Sequence, residues 1–185
     1  MRLTLMQKAR TLSSKKVYCG SISMRLDRVK SKKRVLEKEI VEHSPSVGII
    51  PVLDNCKLVF VSQYRHAIGK ILLEIPAGKI EIGETPKQAA HREMSEEIGY
   101  TGTLAPLLQW YLAPGYSTEF MQIFIATNLK RLRRRGKLDE DESIKIKNMK
   151  LITAIKKCIN GDIEDCKTIA AVFAYARGNH NPKVI

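Results

Sequence analysis

From Thr85 to Gly99 the sequence specifies one capped helix, and that helix carries three acids on one face. Thr85 is of a type whose side chain caps helix N-termini, Pro86 suits the first helical position, and Gly99 suits the residue that ends a helix. Ala89, Ala90, Met94 and Ile98 form an apolar stripe that needs a core to face. Glu93, Glu96 and Glu97 stand at i, i+3 and i+4, so their carboxylates share a face. Like charges at that spacing destabilise an isolated helix by about 0.2–0.5 kcal/mol per pair. Arg92 can pair with Glu96 at i, i+4, which orients one acid without neutralising all three. Hard divalent cations take oxygen ligands of this kind, and Mg²⁺ is commonly shared between carboxylates and substrate phosphates. Taken alone, the triad also fits a solvated acidic face.

Around this helix the pattern is mostly strand. Val47–Leu53 and Leu58–Val61 read as buried strands flanking the turn Asp54-Asn55. Ile71–Ile75 is stopped by Pro76 and Gly78, and further strands fit Leu107–Leu112, Phe120–Ala126 and Ile144–Met149. Helices fit Leu151–Ile159 and Cys166–Ala176, joined at Asn160-Gly161. Before residue 44, short alternating stretches (Val17-Tyr18, Ile22, Met24, Leu26; Val35, Leu36, Ile40, Val41) read as edge strands around the basic turn Lys30–Lys33. The expectation is an α+β chain with an N-terminal β arm over residues 1–43 and a catalytic domain over 44–185.

The chain has 185 residues, 44% hydrophobic and 28% charged, which suits one globular domain with an arm. No apolar run approaches the ~20 residues of a membrane-spanning helix, so no membrane partner is expected. Lys and Arg number 32 against 19 acids, a net charge of +13, so an anionic ligand is expected. Part of this charge lies in Lys130–Lys137, either a solvated loop or a steering patch for a phosphorylated ligand or nucleic acid. No aromatic residue interleaves with that run, which weakens the single-strand nucleic-acid reading. No acid precedes Asp27, a weak likeness to a transit peptide, but a strand beginning at Val17 leaves little to cleave. The four cysteines form no CxxC. They are expected to be reduced, buried thiols in a cytoplasmic protein.

Gly78, Glu84 and Arg92-Glu93-Met94-Ser95-Glu96-Glu97-Ile98-Gly99-Tyr100 together resemble the Nudix box, GX5EX7REUXEEXGU with U aliphatic. Tyr100 at the final aliphatic place is the one departure. The approach Leu72–Glu81 and the segment Ala113-Pro114-Gly115 are similar to the ADP-ribose pyrophosphatase branch, with Ala113 where Ser is usual. Gln63-Tyr64-Arg65, Ile40–His43 and Asp165–Thr168 extend the likeness over roughly residues 14–176.

The resemblance implies an α/β/α sandwich with a mixed sheet and a small N-terminal β arm. It implies metal ligands at Glu93 and Glu97, with Glu96 close by and the Ala77 carbonyl completing the site. The run Asp139–Glu142 is similar to the acidic loop of this branch, which makes Glu140 the catalytic base and Glu142 a further ligand; a register shifted by one acid and a solvated loop are the alternatives. Arg92 joins Glu93, Glu97 and Glu140 in the catalytic set. Arg65, Lys38, Pro114 and Gly115 are the substrate-side candidates, with a surface arginine the alternative for Arg65. Lys38 stands where an Arg is usual, and a Lys holds phosphate as a point charge rather than bidentately.

The implied reaction is Mg²⁺-dependent hydrolysis of ADP-ribose to AMP and ribose 5-phosphate, with about two or three ions and Mn²⁺ as a possible substitute. The implied assembly is a homodimer joined through the N-terminal strands. Another nucleoside diphosphate sugar is an alternative substrate, because the box reads only pyrophosphate and metal. A less favoured alternative is an RNA-binding or RNA 5′-end-processing protein.

Overall fold

A computed structural model describes residues 9–137 and 143–178. The chain forms two compact units. One combines the residues up to Ser44 with Tyr111–Phe120; the other takes Pro45–Trp110 and the chain from Met121 onward.

In the first unit, β1 (Arg10–Cys19), β2 (Ser23–Ser31) and β3 (Arg34–Glu42) form an antiparallel sheet in that order. The β2–β3 hairpin closes at Lys32, which takes a left-handed φ of 54°. β1 starts well before Val17, where the alternation had placed the first strand. It pairs with β2 through its backbone while all its residues stay exposed, so no buried face writes a pattern into its sequence. The segment 111–120 joins this unit at β3: Val41 N–H donates to the Tyr116 carbonyl at 2.8 Å and Thr118 N–H to the Val41 carbonyl at 3.0 Å.

The second unit is built around β4 (Ser46–Pro51), whose residues are all buried. β4 pairs in parallel with β9 (Phe120–Arg131) and antiparallel with β7 (Ala77–Lys79); β8 (Tyr100–Tyr111) completes a mixed sheet in the order β7-β4-β9-β8. A second sheet, wholly antiparallel, runs β10-β5-β6 through β5 (Lys57–Arg65), β6 (Lys70–Glu74) and β10 (Ile144–Lys150). The helices are α1 (Pro86–Glu93), α2 (Leu151–Asn160) and α3 (Cys166–Gly178). Val47 and Ile49 of β4 share one buried cluster with Val59, Val61, Ala89, Ala90 and Met94, so α1 closes over that face. Gly48 and Ile50 alternate to the other face, and α3 also contacts β4.

Tyr100 packs partly buried against this cluster, so the departure from an aliphatic residue costs no core contact. The cysteines differ from the expectation: Cys19, Cys56 and Cys166 are exposed and Cys158 is half-buried, all with free thiols. Cys166 sits at the first turn of α3 rather than on its packed face, where Thr168, Ala171 and Val172 lie. No described helix is long and apolar enough to cross a membrane.

Candidate active site

The acid-bearing helix begins as its sequence requires. Thr85 Oγ1 accepts Gln88 N–H at 3.3 Å, and Gln88 Oε1 accepts Thr85 N–H at 2.8 Å, a reciprocal cap with Pro86 just inside. The helix does not continue as one α-helix to Gly99. At Met94–Ile98 it widens into a π turn, closed where Gly99 takes φ 69° and its N–H reaches the Met94 carbonyl. Such turns recur at functional sites.

Arg92 holds the acids together. Its Nε donates to Glu84 Oε1 at 2.9 Å and its Nη2 to Glu84 Oε2 at 3.0 Å. Its Nη1 donates to Glu93 Oε1 at 2.7 Å and Glu96 Oε2 at 3.0 Å, and Nη2 also reaches the Lys79 carbonyl at 2.8 Å. The Glu84 carboxyl is held below the usual carboxylate range chiefly by that hydrogen bond from Arg92. The guanidinium in turn is raised above its ordinary value, first of all by Glu84.

Glu93 and Glu97 are buried, at 8% and 1% exposure, so the triad is not a solvated face. Glu97 Oε2 accepts the Ala77 N–H at 3.0 Å. At the next residue, a Cβ on Gly78 would stand 1.9 Å from Glu93 Oε1. The backbone at Ala77-Gly78 therefore lies directly against two carboxylates. These residues fit a hard divalent cation: every donor is oxygen, and a cation beside them would add to the Arg92 pairing of Glu93 in offsetting the cost of burying carboxylates. Among the described residues no three acidic, histidine or cysteine side chains close on one point. Mg²⁺ commonly completes its shell with water and substrate phosphate. Glu140 and Glu142 lie outside the described residues.

Arg65 enters the same unit at the end of β5. Its Nε and Nη2 grip Glu74 of β6 at 2.7 and 2.6 Å. Lys167 of α3 holds the same carboxylate, and Asp165 accepts from Lys167 at 2.9 Å. Burial of Glu74, 1% exposed, pushes its carboxyl up, but Arg65 and Lys167 together bring it below its ordinary value. Arg65 is raised first by the Glu74 hydrogen bond, with the Glu97 charge adding to it. Ile75 N–H donates to Thr168 Oγ1 at 2.8 Å, so the strand entering Ala77 is pinned to α3. Glu74, Lys167 and Asp165 lie in segments that carry the family likeness, but the sequence assigns them no role, although one acid inside the apolar run Ile71–Ile75 is a signal of a buried pair.

The structure thus brings Ala77, Arg92, Glu93, Glu96 and Glu97 together, with Arg65 within electrostatic reach of Glu97. Lys38, Pro114 and Gly115 belong to the first unit. Lys38 is exposed on β3, and Pro114 and Gly115 form the exposed tip of a turn in which Ser117 N–H donates to the Ala113 carbonyl at 2.8 Å.

A family model described as the NUDIX domain matches residues 42–161. The chain belongs to the Nudix family. It is 33% identical to the ADP-ribose pyrophosphatase of Bacillus subtilis, over 88% of this chain and 90% of that protein. It is 32% identical to the methanol dehydrogenase activator of Bacillus methanolicus, with the same two coverages. A crystal structure described as an ADP compounds hydrolase superposes with a TM-score of 0.82 at 22% identity, covering 98% of this chain and all of that one. The fold is the Nudix sandwich with a mixed sheet and an extra N-terminal sheet, and the chain is a Nudix hydrolase.

Proposed function

We propose that this Nudix hydrolase splits the pyrophosphate of ADP-ribose into AMP and ribose 5-phosphate, as a Mg²⁺-dependent cytoplasmic homodimer. The observation that carries the reading is the pair of buried carboxylates seated on the Ala77-Gly78 backbone, Glu93 ordered by Arg92 and Glu97 by the Ala77 N–H. Glu93, Glu97, Glu96 and the Ala77 carbonyl would hold Mg²⁺, or Mn²⁺ in its place, with Glu142 as a further ligand. When bound, the metal supplies charge neutralisation at the pyrophosphate and a lowered pKa for water.

The chain's own groups do the rest. Arg92 keeps the Glu93 and Glu96 carboxylates turned to one side, so their geometry does not depend on the ion alone. Glu140 takes the proton of the attacking water, a carboxylate being adequate as a general base when it stands within hydrogen-bond reach. Water's oxygen joins the adenosine-side phosphorus, the bridging oxygen departs with ribose 5-phosphate, and AMP remains. Arg65, with Nε and Nη2 committed to Glu74, offers Nη1 to a phosphate oxygen. Lys38 would hold a phosphate as a point charge, and Pro114 and Gly115 are further substrate-binding candidates.

A second reading keeps the reaction and changes the sugar to a hexose. It is favoured by the separation of roles: the acids form a phosphate and metal site, and nothing in their geometry selects what the second phosphate carries. Hydrolysis of ADP-ribose, ADP-glucose and GDP-mannose with Mg²⁺, resolved by chromatography, tests the two. AMP and ribose 5-phosphate formed fastest from ADP-ribose supports the first. Faster cleavage of a hexose nucleotide supports the second, and cleavage of none overturns both.

A further inference from the structure

We propose that Arg135 and Gly136 form a clasp that positions Glu96 and Glu97, an inference that rests on the metal-binding reading of those acids. A helix leaves the carbonyls of its last turn without partners. Here those carbonyls are taken by one short segment of the basic run. Arg135 Nε donates to the Glu96 carbonyl at 2.6 Å, and its Nη2 donates to the Glu97 carbonyl. Gly136 N–H donates to the Ser95 carbonyl at 3.0 Å, and Leu132 N–H to the Gly99 carbonyl at 2.9 Å.

Residue types at these positions are demanded by the contact. A guanidinium presents its donors as a planar fork, which suits two neighbouring carbonyls, and its charge faces the negative end of the helix dipole. A Cβ on Gly136 would lie 2.6 Å from Glu96 Cγ and 3.1 Å from Glu96 Cα, so only glycine lets the backbone rest on Glu96 without displacement. The arginine stem passes Gly99, where a Cβ would sit 3.7 Å from Arg135 Cβ and Cγ.

The clasp matters because the turn it holds is π rather than α. A π turn spends one more residue per turn, so the directions of Glu96 and Glu97 relative to Glu93 depend on keeping that register. Glu96 is held at its side chain by Arg92 and Glu97 by the Ala77 N–H. The clasp holds both at their backbone. Arg135, though exposed, is thus a positioning residue acting through the acids it grips.

The test compares Arg135→Met, Arg135→Lys and Gly136→Ala with the neighbouring control Arg134→Met. Mn²⁺ affinity is read by electron paramagnetic resonance without nucleotide, and amide exchange is read across Ser95–Gly99. Arg135→Met is expected to bind Mn²⁺ about tenfold more weakly, within the ~10–100-fold typical when support behind metal ligands is lost. Exchange across Ser95–Gly99 should rise, KM at saturating metal should hold, and Arg135→Lys should recover only part of the affinity. Arg134→Met should match the wild type. Wild-type Mn²⁺ affinity in Arg135→Met overturns the clasp even if the melting temperature falls. If Arg135→Met does not fold, Arg135→Lys and Gly136→Ala carry the same comparison. A wild type that takes up no Mn²⁺ overturns the metal reading, and the positioning role with it.

Discussion

Glu93 occupies the space in which a side chain at residue 78 would stand. A Cβ on Gly78 would come within 1.9 Å of Glu93 Oε1 and 2.2 Å of its Cδ. Gly78→Ala must therefore push the carboxylate away from the Ala77-Gly78 backbone. Displacements of this order near reacting groups cost on the order of a hundredfold in rate. The expected outcome is such a loss in kcat/KM with a melting temperature near that of the wild type. Unchanged kinetics would mean that Glu93 works from another position.

Glu97→Gln keeps the acceptor that receives the Ala77 N–H and removes only the charge. Because Glu97 is buried, the neutral side chain is expected to leave folding intact or slightly favoured. Losing several kcal/mol of charge stabilisation corresponds to roughly a thousandfold in kcat. Steady-state kinetics beside circular dichroism check this; near-normal turnover removes Glu97 from the metal site.

Both variants depend on residues that stood out in the sequence, and the reason is local. Gly78, Glu84, Arg92 and the acids lie close along the chain, and caps such as Thr85 and Gly99 obey rules a few residues long. What stayed hidden depends on register between distant segments. The π turn does not follow from a 3.6-residue period, and the partnership of Arg135 with Glu96 and Glu97 cannot be chosen from a run with several arginines. The Glu97 side chain looked exposed because a cluster of acids usually is. β1 escaped for the opposite reason, having no buried face to betray it.

Glu74 gives a pH signature. Its carboxyl is held below the ordinary range in the folded chain, with Arg65 and Lys167 outweighing burial. A depressed folded pKa means stability that is present above the unfolded value, about 4.3, and is lost as pH falls through the lower folded value. Glu74→Gln strands Arg65, while Lys167 keeps Asp165, and is expected to cost about 3 kcal/mol at neutral pH. The gap to the wild type should close on acidification below about pH 4.3. Urea titrations across that range check it, and a gap that widens in acid would contradict the pairing.

The sheet of the first unit leaves Leu12, Val17, Tyr18, Val35 and Leu36 exposed, with Ile22 in the β1–β2 turn. Apolar side chains gathered on one small sheet suit a contact surface. Sedimentation equilibrium is expected to give twice the 20.9 kDa chain mass. Val17→Glu with Leu36→Glu should shift the mass to that of one chain, while an unaltered wild-type monomer would remove the dimer.

The pairing of Ser46 with Met121 has a bearing on how the molecule is made. β4 emerges from a ribosome long before its parallel partner β9, and at about 5–20 residues per second the interval is several seconds. During that time β4 can pair only with β7, through Val47 and Gly78. The nascent chain thus carries an apolar strand with one edge open while the residues of the acid-bearing helix are already out. Until β9 follows, that edge is of the kind that invites pairing with another chain.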